Sequence, residues 1–493
     1  MPRARLPVLS CAVAAQQEKV FLRGSETKSL TLMQRAATGI RDEIFRHLGP
    51  RLSRILVLAG KGNNGADAIL TAALMRNAQT QVTVLFAEGI PTTGQPAIIW
   101  SQHGAGMRVV GPKDLPRLLR SEFDLTLDGL LGQGFRQPLR APYTSLIRAS
   151  AQLRGFRVAI DVPSGLGDDT VGPAFRADLT VSIGALKRPL LQPAAEAVRG
   201  RCRVIDIGLP GKCGPEACAT GHALDALRKL RPANTEKRQQ GRVLIVAGSQ
   251  TMPGAALMNT AAALQSGAGL VTTCLPHTFQ ARAAVAYPEA MWHGLPTDDT
   301  GTLDGQPTKA MRANKDVLLT GSGMGAGASA YLQTLLGDFT GDLVLDADAL
   351  RPEVIKVARP KRRTVVLLPH AGEFLRLSGK PLTSAHGMAY ARRTRTLLVL
   401  KGPLSAVTDG RRLVHIPFGG PALARGGSGD LLAGMVAAVL ARRRRLGLTA
   451  FDAVVAAVTW HAQAADLLRE QRGEEAIRTT ELLPRLSQVL RPR

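Results

Sequence analysis

The sequence is poor in aromatic residues and cysteine, and no long hydrophobic run occurs in its 493 residues. Aromatic residues make up only 4%, so aliphatic side chains and alanine must fill the cores. The longest apolar runs reach about ten residues, half of what a membrane-spanning helix needs, so we expect no membrane span. The five cysteines are scattered, and Cys213 and Cys218 have no second pair to complete a zinc site. We therefore expect a cytoplasmic protein with reduced thiols.

Acidic residues are few relative to basic ones, because 38 Asp and Glu stand against 63 Lys and Arg. The resulting net charge of +25 is spread over both halves of the chain. Such a field attracts phosphates and nucleic acids, although solvated arginine faces account for the same excess. The basic runs at 361–363 and 442–445 contain no aromatic residues, which argues against nucleic-acid binding.

Short hydrophobic runs and helical patterns alternate through the first half of the chain. The run at 55–59 leads through a glycine-rich loop at 60–67 into a helical pattern that ends near Met75. Further runs that predict strands follow at 82–86, 107–110, 125–131, 158–162, 179–183 and 204–207. Strand, turn and helix in alternation predict a doubly wound, mostly parallel sheet that is covered on both faces.

The second half repeats this alternation after a segment rich in Gly, Pro, Lys and Arg at 211–240, which we interpret as a domain junction. Strands are predicted at 242–248, 270–275, 317–319, 343–345, 365–368 and 397–400, with a helix at 254–265. Four of these strands end in glycine or polar residues. We therefore expect a ligand site beyond their carboxyl ends.

The stretch Gly-Gly-Ser-Gly-Asp at 426–430 precedes an apolar run with helical spacing. Free N–H groups at a helix start favour an anion such as a phosphate. Asp430 would stand beside that anion, where a carboxylate can orient or deprotonate a hydroxyl near a phosphoryl group. An aspartate that only favours the helix dipole explains the residue equally well.

Other polar residues follow predicted strands and are candidates for binding. Asn64, Asp128 and Ser164 offer an amide oxygen, a carboxylate and a hydroxyl, which suits a cage for a monovalent cation. Local turn hydrogen bonds are the alternative for each of them. Asp346, Asp348, His370 and Lys401 follow strands of the second half, where turn residues and a structural histidine are the alternatives. Their convergence with two glycine loops favours a nucleotide site.

Taken together, residues 10–210 resemble the NAD(P)H-hydrate epimerase domain. The family's Gly-Asn-Asn-Gly-Gly-Asp loop corresponds to 62–67, its Asp-Ala-Leu-Leu-Gly-Thr-Gly stretch to 128–134, and Asp-Val-Pro-Ser-Gly is intact at 161–165. The resemblance implies potassium (K+) at Asn64, Asp128 and Ser164, and a catalytic Asp161 near the reacting ring. Lys187 is a further candidate, because an amine near a carboxylate suits proton transfer, and an ordinary surface lysine is the alternative. The resemblance also implies that the hydrated nucleotide is bound by Asn63, Asn64, Gly65, Ala66, Asp67, Gly132, Gln133, Gly134, Phe135, Arg136, Gln137, Pro138 and Asp161.

Residues 235–490 resemble the ribokinase-like family and, within it, the ADP-dependent NAD(P)H-hydrate dehydratases. The matching motifs are at 267–271, 321–325, 346–350, 369–373, 401–402 and 426–430. The resemblance implies that Ala268, Gly323, His370 and the catalytic Asp430 bind the hydrate. It further implies that ADP with Mg2+ is bound by Lys401, Gly402, Pro403, Leu404, Ser405 and Gly429.

Several positions depart from the family patterns. Ala66 and Ala68 replace glycines, which would place methyl groups where backbone meets ligand, while Gly129 and Gln133 replace an alanine and a threonine. In the second half, Arg351 and Gly420 replace asparagines, and Arg425 replaces a threonine. The Arg425 guanidinium would either clamp phosphate or obstruct the loop.

The sequence thus predicts an α/β protein with an N-terminal Rossmann-like three-layer sandwich (1–215) and a C-terminal ribokinase-like α/β domain (222–493). The resemblances imply that the first domain interconverts the R and S forms of hydrated NADH and NADPH. The second would dehydrate the S form at the expense of ADP, giving AMP and phosphate. We also expect a homo-oligomer. The open alternatives are a ribokinase-like small-molecule kinase and a non-catalytic N-terminal scaffold.

Overall fold

The computed structural model describes residues 3–136, 138–169, 172–359 and 363–491. The chain forms two compact units, which we call the N-terminal unit (Leu6–Gly214) and the C-terminal unit (Pro215 onward, together with the first residues up to Arg5). Their boundary falls inside the 211–240 segment. No helix of the described ranges combines the length and the hydropathy that crossing a bilayer requires.

The N-terminal unit is built on a parallel sheet. Its strands are β1 (Arg5–Leu9), β2 (Arg54–Ala59), β3 (Gln81–Phe86), β4 (Arg108–Val110), β5 (Glu122–Gly129), β6 (Arg154–Ile160), β7 (Leu179–Ile183), β8 (Leu186–Lys187) and β9 (Arg201–Ile205). The sheet order is β4-β3-β2-β5-β6-β7-β9, and β1 pairs with β8 apart from it. Chain order reverses between β2 and β5, so the loops after these two strands meet at a crevice where such sheets bind ligands.

Helices cover both faces of this sheet. They are α1 (Cys11–Leu22), α2 (Glu26–Leu48), α3 (Asn63–Met75), α4 (Gly94–His103), α5 (Leu115–Leu118) and α6 (Tyr143–Ser150). The Ser25 hydroxyl caps α2 by accepting the Lys28 N–H, and buried residues recur every three or four positions from Leu32 to Ile44. One hydrophobic cluster joins α2, α3 and α4 to the sheet, and another joins α5 and α6 to its opposite face. This confirms the three-layer sandwich.

The C-terminal unit contains a second, larger sheet. Its strands are β10 (Glu216–Ala219), β11 (Arg242–Val246), β12 (Leu270–Pro276), β13 (Met291–Leu295), β14 (Val317–Thr320), β15 (Asp342–Leu345), β16 (Val365–Leu367), β17 (Leu397–Leu400), β18 (Ala406–Thr408) and β19 (Leu413–His415). They lie in the order β13-β12-β11-β14-β15-β16-β17-β18-β19-β10. The strands from β13 to β17 are parallel, and β18 is antiparallel to both of its neighbours.

Long helices pack on this sheet. The helices are α7 (Asp225–Arg228), α8 (Pro253–Gln265), α9 (Gln280–Ala286), α10 (Lys309–Arg312), α11 (Ser329–Asp338), α12 (Pro352–Ala358), α13 (Ala371–Ser378), α14 (Ser384–Thr394), α15 (Ser428–Leu446), α16 (Ala450–Arg472) and α17 (Leu482–Leu490). Helix α15 contacts α8, α16 and the strands β11, β14 and β15. Almost all of its first fifteen residues are buried, and the arginines at its C-terminal end suit the helix dipole.

Two predicted strands begin and end earlier than expected, and their ends have local reasons. β5 ends at Gly129 rather than at 131, because the Leu130 N–H bonds Asp128 and the Leu131 N–H bonds the Ser164 hydroxyl instead of a neighbouring strand. β6 ends at Ile160 because Asp161 adopts a φ of +68°, outside the strand region. Strands β1 and β10 and helix α1 were not among the predicted elements.

Candidate active sites

The N-terminal unit contains a cavity of about 1030 Å³ at the crevice between β2 and β5. Most of the residues implied to bind the hydrated nucleotide line it: Asn63, Asn64, Asp67, Gly132, Gln133, Gly134, Phe135, Arg136, Pro138 and Asp161. Gly65 and Ala66 are buried beneath the first turn of α3 and do not line it. Gln137 lies outside the described residues. The volume is sufficient for a nucleotide-sized ligand.

Ala66 and Ala68 do not line the cavity, where we expected their methyl groups, because both residues are fully buried. Ala68 faces Gly129 at the end of β5. An ideal Cβ on Gly129 would lie 2.6 Å from the Ala68 Cβ, so only one methyl fits between the two backbones. Where the family pattern has glycine at 68 and alanine at 129, this chain has the reverse. We interpret these two departures as one exchange of a buried methyl group.

Asp161 and Lys187 form a buried ion pair beside the cavity, with the Lys187 ammonium bonded to Asp161 Oδ1. The same ammonium donates to the Ile183 carbonyl at 2.5 Å, and the Ile183 N–H donates to Asp161 at 3.0 Å. Only 4% of Asp161 and 2% of Lys187 is exposed. The pair is thus fixed in position, and both of its residues line the cavity.

Glu18 is a site residue that the sequence reasoning missed. It comes from α1, lines the cavity, and accepts a hydrogen bond from Gln133 Nε2 at 2.6 Å. Burial raises the pKa of Glu18. Burial, together with the charges of Glu18 and Asp161, raises the pKa of Asp67 well above its ordinary value. Glu18 belongs to no motif in the sequence. It could have been found only if α1 had been predicted and placed beside the cavity.

Asn64 and Ser164 both lie within hydrogen-bond distance of the Leu131 carbonyl, and Asp128 is connected to them through Ser164. Ser164 donates to Asp128 through its N–H at 2.8 Å and its hydroxyl at 2.6 Å, while Asn64 Nδ2 donates to the Leu131 carbonyl at 2.9 Å. Asp128 is fully buried, and burial raises its pKa to about 6. A cation bonded to this carboxylate would offset its desolvation, and the oxygens of all three side chains are ligands that fit potassium.

In the C-terminal unit, Asp430 lies in the first turn of α15, as the 426–430 pattern predicts. It stands near Asp346 at the end of β15 and near Lys401 at the end of β17, both of which influence its titration. Burial and the Asp346 carboxylate raise the pKa of Asp430 to about 6. The Asn259 amide donates to the Asp430 carbonyl at 2.8 Å and ties α8 to this turn.

Lys401 connects the carboxylates at the strand ends. Its ammonium lies 2.9 Å from Asp346 Oδ1 and 3.8 Å from Glu373 Oε2. Burial lowers the pKa of Lys401, but Asp346 and Glu373 outweigh burial and raise it overall. An ideal Cβ on Gly429 would be only 3.5 Å from the Lys401 ammonium, so α15 begins directly beside this lysine. The remaining residues of 401–405 form the loop between β17 and β18.

His370 is the N-cap of α13. Its Nδ1 accepts the N–H groups of Gly372 and Glu373 at 3.0 and 3.3 Å, and its Nε2 lies 3.3 Å from Glu373 Oε1. The side chain is 57% exposed. The histidine therefore has a structural role and still presents one ring edge to a ligand.

Gly323 and Ala268, both implied to touch the hydrate, lie far apart. Ala268 follows α8 and precedes β12, at the amino edge of the sheet, and Arg442 donates to the nearby Ser266 carbonyl at 2.6 Å. Arg442 is twelve residues beyond Asp430 on α15, a distance of about 18 Å along the helix axis. The placement of Ala268 was wrong. Ala255, in the first turn of α8, instead contacts the Gly323 loop, where an ideal Cβ on Gly323 would be 2.7 Å from its Cβ.

The altered 419–425 segment precedes α15, and its substituted side chains do not cover the first turn of that helix. Gly420 has a φ of +129°, which glycine adopts more readily than asparagine. Arg425 points to the 474–475 backbone and donates to the Glu475 carbonyl at 2.7 Å. Arg351 lies outside this segment, at the N-cap position of α12, where its side chain makes no capping hydrogen bond. The structure therefore turns the Arg425 guanidinium away from an obstructing position.

The folds and the strand-end carboxylates define an α/β enzyme with a ribokinase-like C-terminal unit. A family model described as NAD(P)H-hydrate dehydratase matches residues 243–488. A second, described as YjeF-related protein N-terminus, matches residues 29–189. Similarity to whole proteins specifies the class further, and the chain belongs to the family of bifunctional NAD(P)H-hydrate repair enzymes.

Two relatives illustrate this similarity. The bifunctional NAD(P)H-hydrate repair enzyme of Moorella thermoacetica is 31% identical over 94% of this chain and 92% of that protein. The corresponding protein of Thermosynechococcus vestitus is 32% identical over 89% of this chain and 88% of its own length. The crystal structure of a hypothetical protein from Streptococcus mutans covers 55% of this chain and 98% of that chain, with 27% identity and a TM-score of 0.50. The resemblance found in the sequence is confirmed.

Proposed function

We infer that this protein repairs hydrated NADH and NADPH with two activities. The N-terminal unit interconverts the R and S forms of the hydrate, and the C-terminal unit dehydrates the S form at the expense of ADP. The arrangement of Asp430, Lys401 and Asp346 at the start of α15 carries this inference. It combines an anion-binding helix start with a carboxylate that can act on a hydroxyl.

In the dehydratase site, we propose that Asp430 accepts the proton of the ring hydroxyl while the hydroxyl oxygen attacks the terminal phosphorus of ADP. The first N–H groups of α15 and the Lys401 ammonium stabilise the charge on the transferring phosphoryl group. AMP leaves, phosphate then departs from the ring carbon as the neighbouring carbon loses a proton, and the new double bond restores the reduced nicotinamide. His370, Gly323 and Gly429 would position the two substrates.

Mg2+ fits this site as the ADP complex. Asp346 Oδ1 bonds Lys401, and Oδ2 faces Gly429 at the start of α15, where it would hold the ion beside the ADP phosphates. Bound Mg2+ would neutralise charge on the transferring phosphoryl group. The loop between β17 and β18 would contact the adenine nucleotide through Lys401, Gly402, Pro403, Leu404 and Ser405.

In the epimerase site, we propose that the fixed Asp161–Lys187 pair stands beside the reacting ring and stabilises positive charge that develops on it. The loops 63–67 and 132–138 would hold the nucleotide. Potassium would be held by Asn64, Asp128 and Ser164, and it would supply the positive charge that the buried Asp128 lacks. We also propose a cytoplasmic location and a homo-oligomeric state. Sedimentation measurements can test the oligomeric state.

The recovery of reduced cofactor tests both activities in one experiment. The full-length protein is mixed with hydrated NADH and ADP, and absorbance at the reduced-nicotinamide wavelength is followed. We expect a fast phase from the S form and a slower phase as the R form is converted. ATP in place of ADP tests the nucleotide preference. Absence of recovery, together with phosphorylation of a sugar or vitamin alcohol, would favour a small-molecule kinase instead.

A further inference from the structure

The cavity of the N-terminal unit brings together three carboxylates and one buried ammonium. Glu18 comes from α1, Asp67 from α3, Asp161 from the end of β6 and Lys187 from β8. Glu18 and Asp67 each interact electrostatically with both Asp161 and Lys187, so the four groups form one network. These elements are far apart in the sequence, and each contributes a side chain to this one cavity.

The charges of this network do not balance if every carboxyl group is ionised. The Lys187 ammonium is bonded directly to Asp161, and no cation of the described residues forms an ion pair with Glu18 or Asp67. The Oδ1 atom of Asp67 is buried and has no hydrogen-bond partner, whereas Glu18 accepts a hydrogen bond from Gln133. Two like charges in a shared, desolvated site favour retention of a proton by one of them.

We propose that Glu18 and Asp67 share a proton and act as the proton donor of the epimerase, while the Asp161–Lys187 pair stays ionised and faces the ring. This proposal rests on the epimerase activity inferred above and names the groups that carry it out. The raised pKa values of Glu18 and Asp67 agree with the retained proton. Separate environments for neighbouring carboxyl groups commonly assign acid and base roles in enzymes.

The reaction needs one proton and returns it. The Glu18–Asp67 pair gives its proton to the hydroxyl oxygen on the hydrated ring carbon, the carbon–oxygen bond breaks, and water leaves. The ring nitrogen lone pair forms a double bond to that carbon, and Asp161 stabilises the resulting cation. A second water then attacks the opposite face of the ring and loses a proton to solvent, the ring nitrogen regains its lone pair, and the carboxyl pair recovers a proton from solvent.

Gln133 is the positioning residue of this donor, and it is one of the positions where this chain departs from the family pattern. Its Nε2 donates to Glu18, while its Oε1 is buried without a partner and lines the cavity. The hydrogen bond from Gln133 stabilises ionised Glu18 and so lowers the pKa of that carboxyl group. Removing it should therefore keep the donor protonated to higher pH.

Some of the other charged groups around the network have partners of their own. Asp168 accepts the N–H groups of Cys11 and Ala12 at the start of α1, and burial raises the pKa of the Cys11 thiol to about 12, which keeps it neutral. At the cavity rim, Lys61 pairs with Glu88 at 3.2 Å. Arg136 and Lys19 also line the cavity. These groups can also change the rate at low or high pH. The pH profile of wild type must therefore be compared with the profiles of variants that each change one group.

The test compares full-length wild type with Glu18→Gln, Asp67→Asn and Gln133→Thr. Glu122→Gln is the matched control, because Glu122 is an exposed carboxylate of the same unit that pairs with Arg154. In the recovery assay with ADP, the fast dehydration phase reports an intact C-terminal unit in the same chain. The slow phase, corrected for the rate in buffer, reports epimerisation and is measured from about pH 5 to about pH 9, a range that spans the raised pKa values of buried carboxyl groups.

We expect Glu18→Gln and Asp67→Asn to slow epimerisation by at least about 100-fold with an unchanged fast phase, since general acids contribute about 10²–10⁴. Gln133→Thr should move the alkaline decline of the slow phase to higher pH, a change in the shape of the pH profile that a purely structural role would not produce. Epimerised product formed in ¹⁸O-water should carry the label.

Two failures are distinguishable. If wild type shows no slow phase above the buffer rate, the epimerase function itself is overturned, and the proposal with it. If wild type epimerises and both carboxyl variants retain its rate, or if the product lacks ¹⁸O, only the proposed donor is overturned. A carboxyl variant that loses the slow phase because it is unstable would unfold at a lower temperature than Glu122→Gln. In that case Glu18→Asp is measured in its place. Its carboxyl group should restore part of the epimerisation rate if the donor is as proposed, and none if it is not.

Discussion

Replacing Gly129 with alanine tests whether positions 68 and 129 exchange one buried methyl group. The new Cβ would lie 2.6 Å from the Ala68 Cβ and 2.7 Å from the Asn64 carbonyl oxygen. Non-bonded carbon atoms need about 3.5–4.0 Å. Ala68 is fully buried in α3, so helix and strand must separate to admit the methyl. Because Asn64 lies in the first turn of the same helix, the separation should also disturb the epimerase loop.

The expected free energies follow from ordinary packing terms. Gly129→Ala should cost about 2 kcal/mol, within the usual range for overpacking. Ala68→Gly should also cost about 2 kcal/mol, from one buried methyl at about 0.8 and a helical glycine at about 1. In the double variant the methyl at 129 fills the space vacated at 68. We expect it to cost about 1–2 kcal/mol rather than the sum of about 4, a coupling of about 2–3 kcal/mol.

Calorimetry of the full-length protein can measure this coupling through the unfolding transition of the N-terminal unit. For a unit of this size, 1 kcal/mol shifts Tm by about 2–4 °C. Gly111→Ala is a suitable control, because Gly111 has extended backbone and an ideal Cβ there meets nothing within 4 Å. A double variant whose loss equals the sum of the single losses within about 0.5 kcal/mol would refute the exchange of methyl groups.

Three further predictions concern single residues. Asp430→Asn should slow dehydration at least about 100-fold while ADP affinity changes little. In wild type the dehydration rate should fall below about pH 6, because the Asp430 carboxylate becomes protonated. An equal rate on both sides of that pH would contradict a role of Asp430 as proton acceptor. Asp128→Asn should abolish any stabilisation of the N-terminal unit by KCl over choline chloride in thermal unfolding, and a retained potassium effect would dismiss the cation site. Arg425→Ala should change the KM for ADP less than about threefold, because the guanidinium binds the 474–475 carbonyls; a tenfold increase would show that it clamps phosphate.

The alternation of strands and helices, and the residues that follow each strand, were predictable from the sequence. Hydrophobic period and glycine loops are local properties, and parallel strands bring their carboxyl ends to one edge whatever the details of packing. That rule placed Asn64, Asp128 and Ser164 in one cluster of hydrogen bonds, and it placed Lys401, Asp346 and Asp430 together. The family resemblance then connected these residues with hydrated nicotinamide nucleotides.

Other features depend on contacts between distant segments, which no local pattern encodes. Glu18 reaches the cavity because α1 packs near the loops after β2 and β5. The Ala68 methyl fills the space beside Gly129 only because α3 packs against β5. Ala268 carries a recognisable motif, yet the length of α15 separates it from Asp430. Sequence by itself determined the fold class and the strand-end residues, whereas side-chain direction and helix packing, which arise from the whole core, decided which of them share a site.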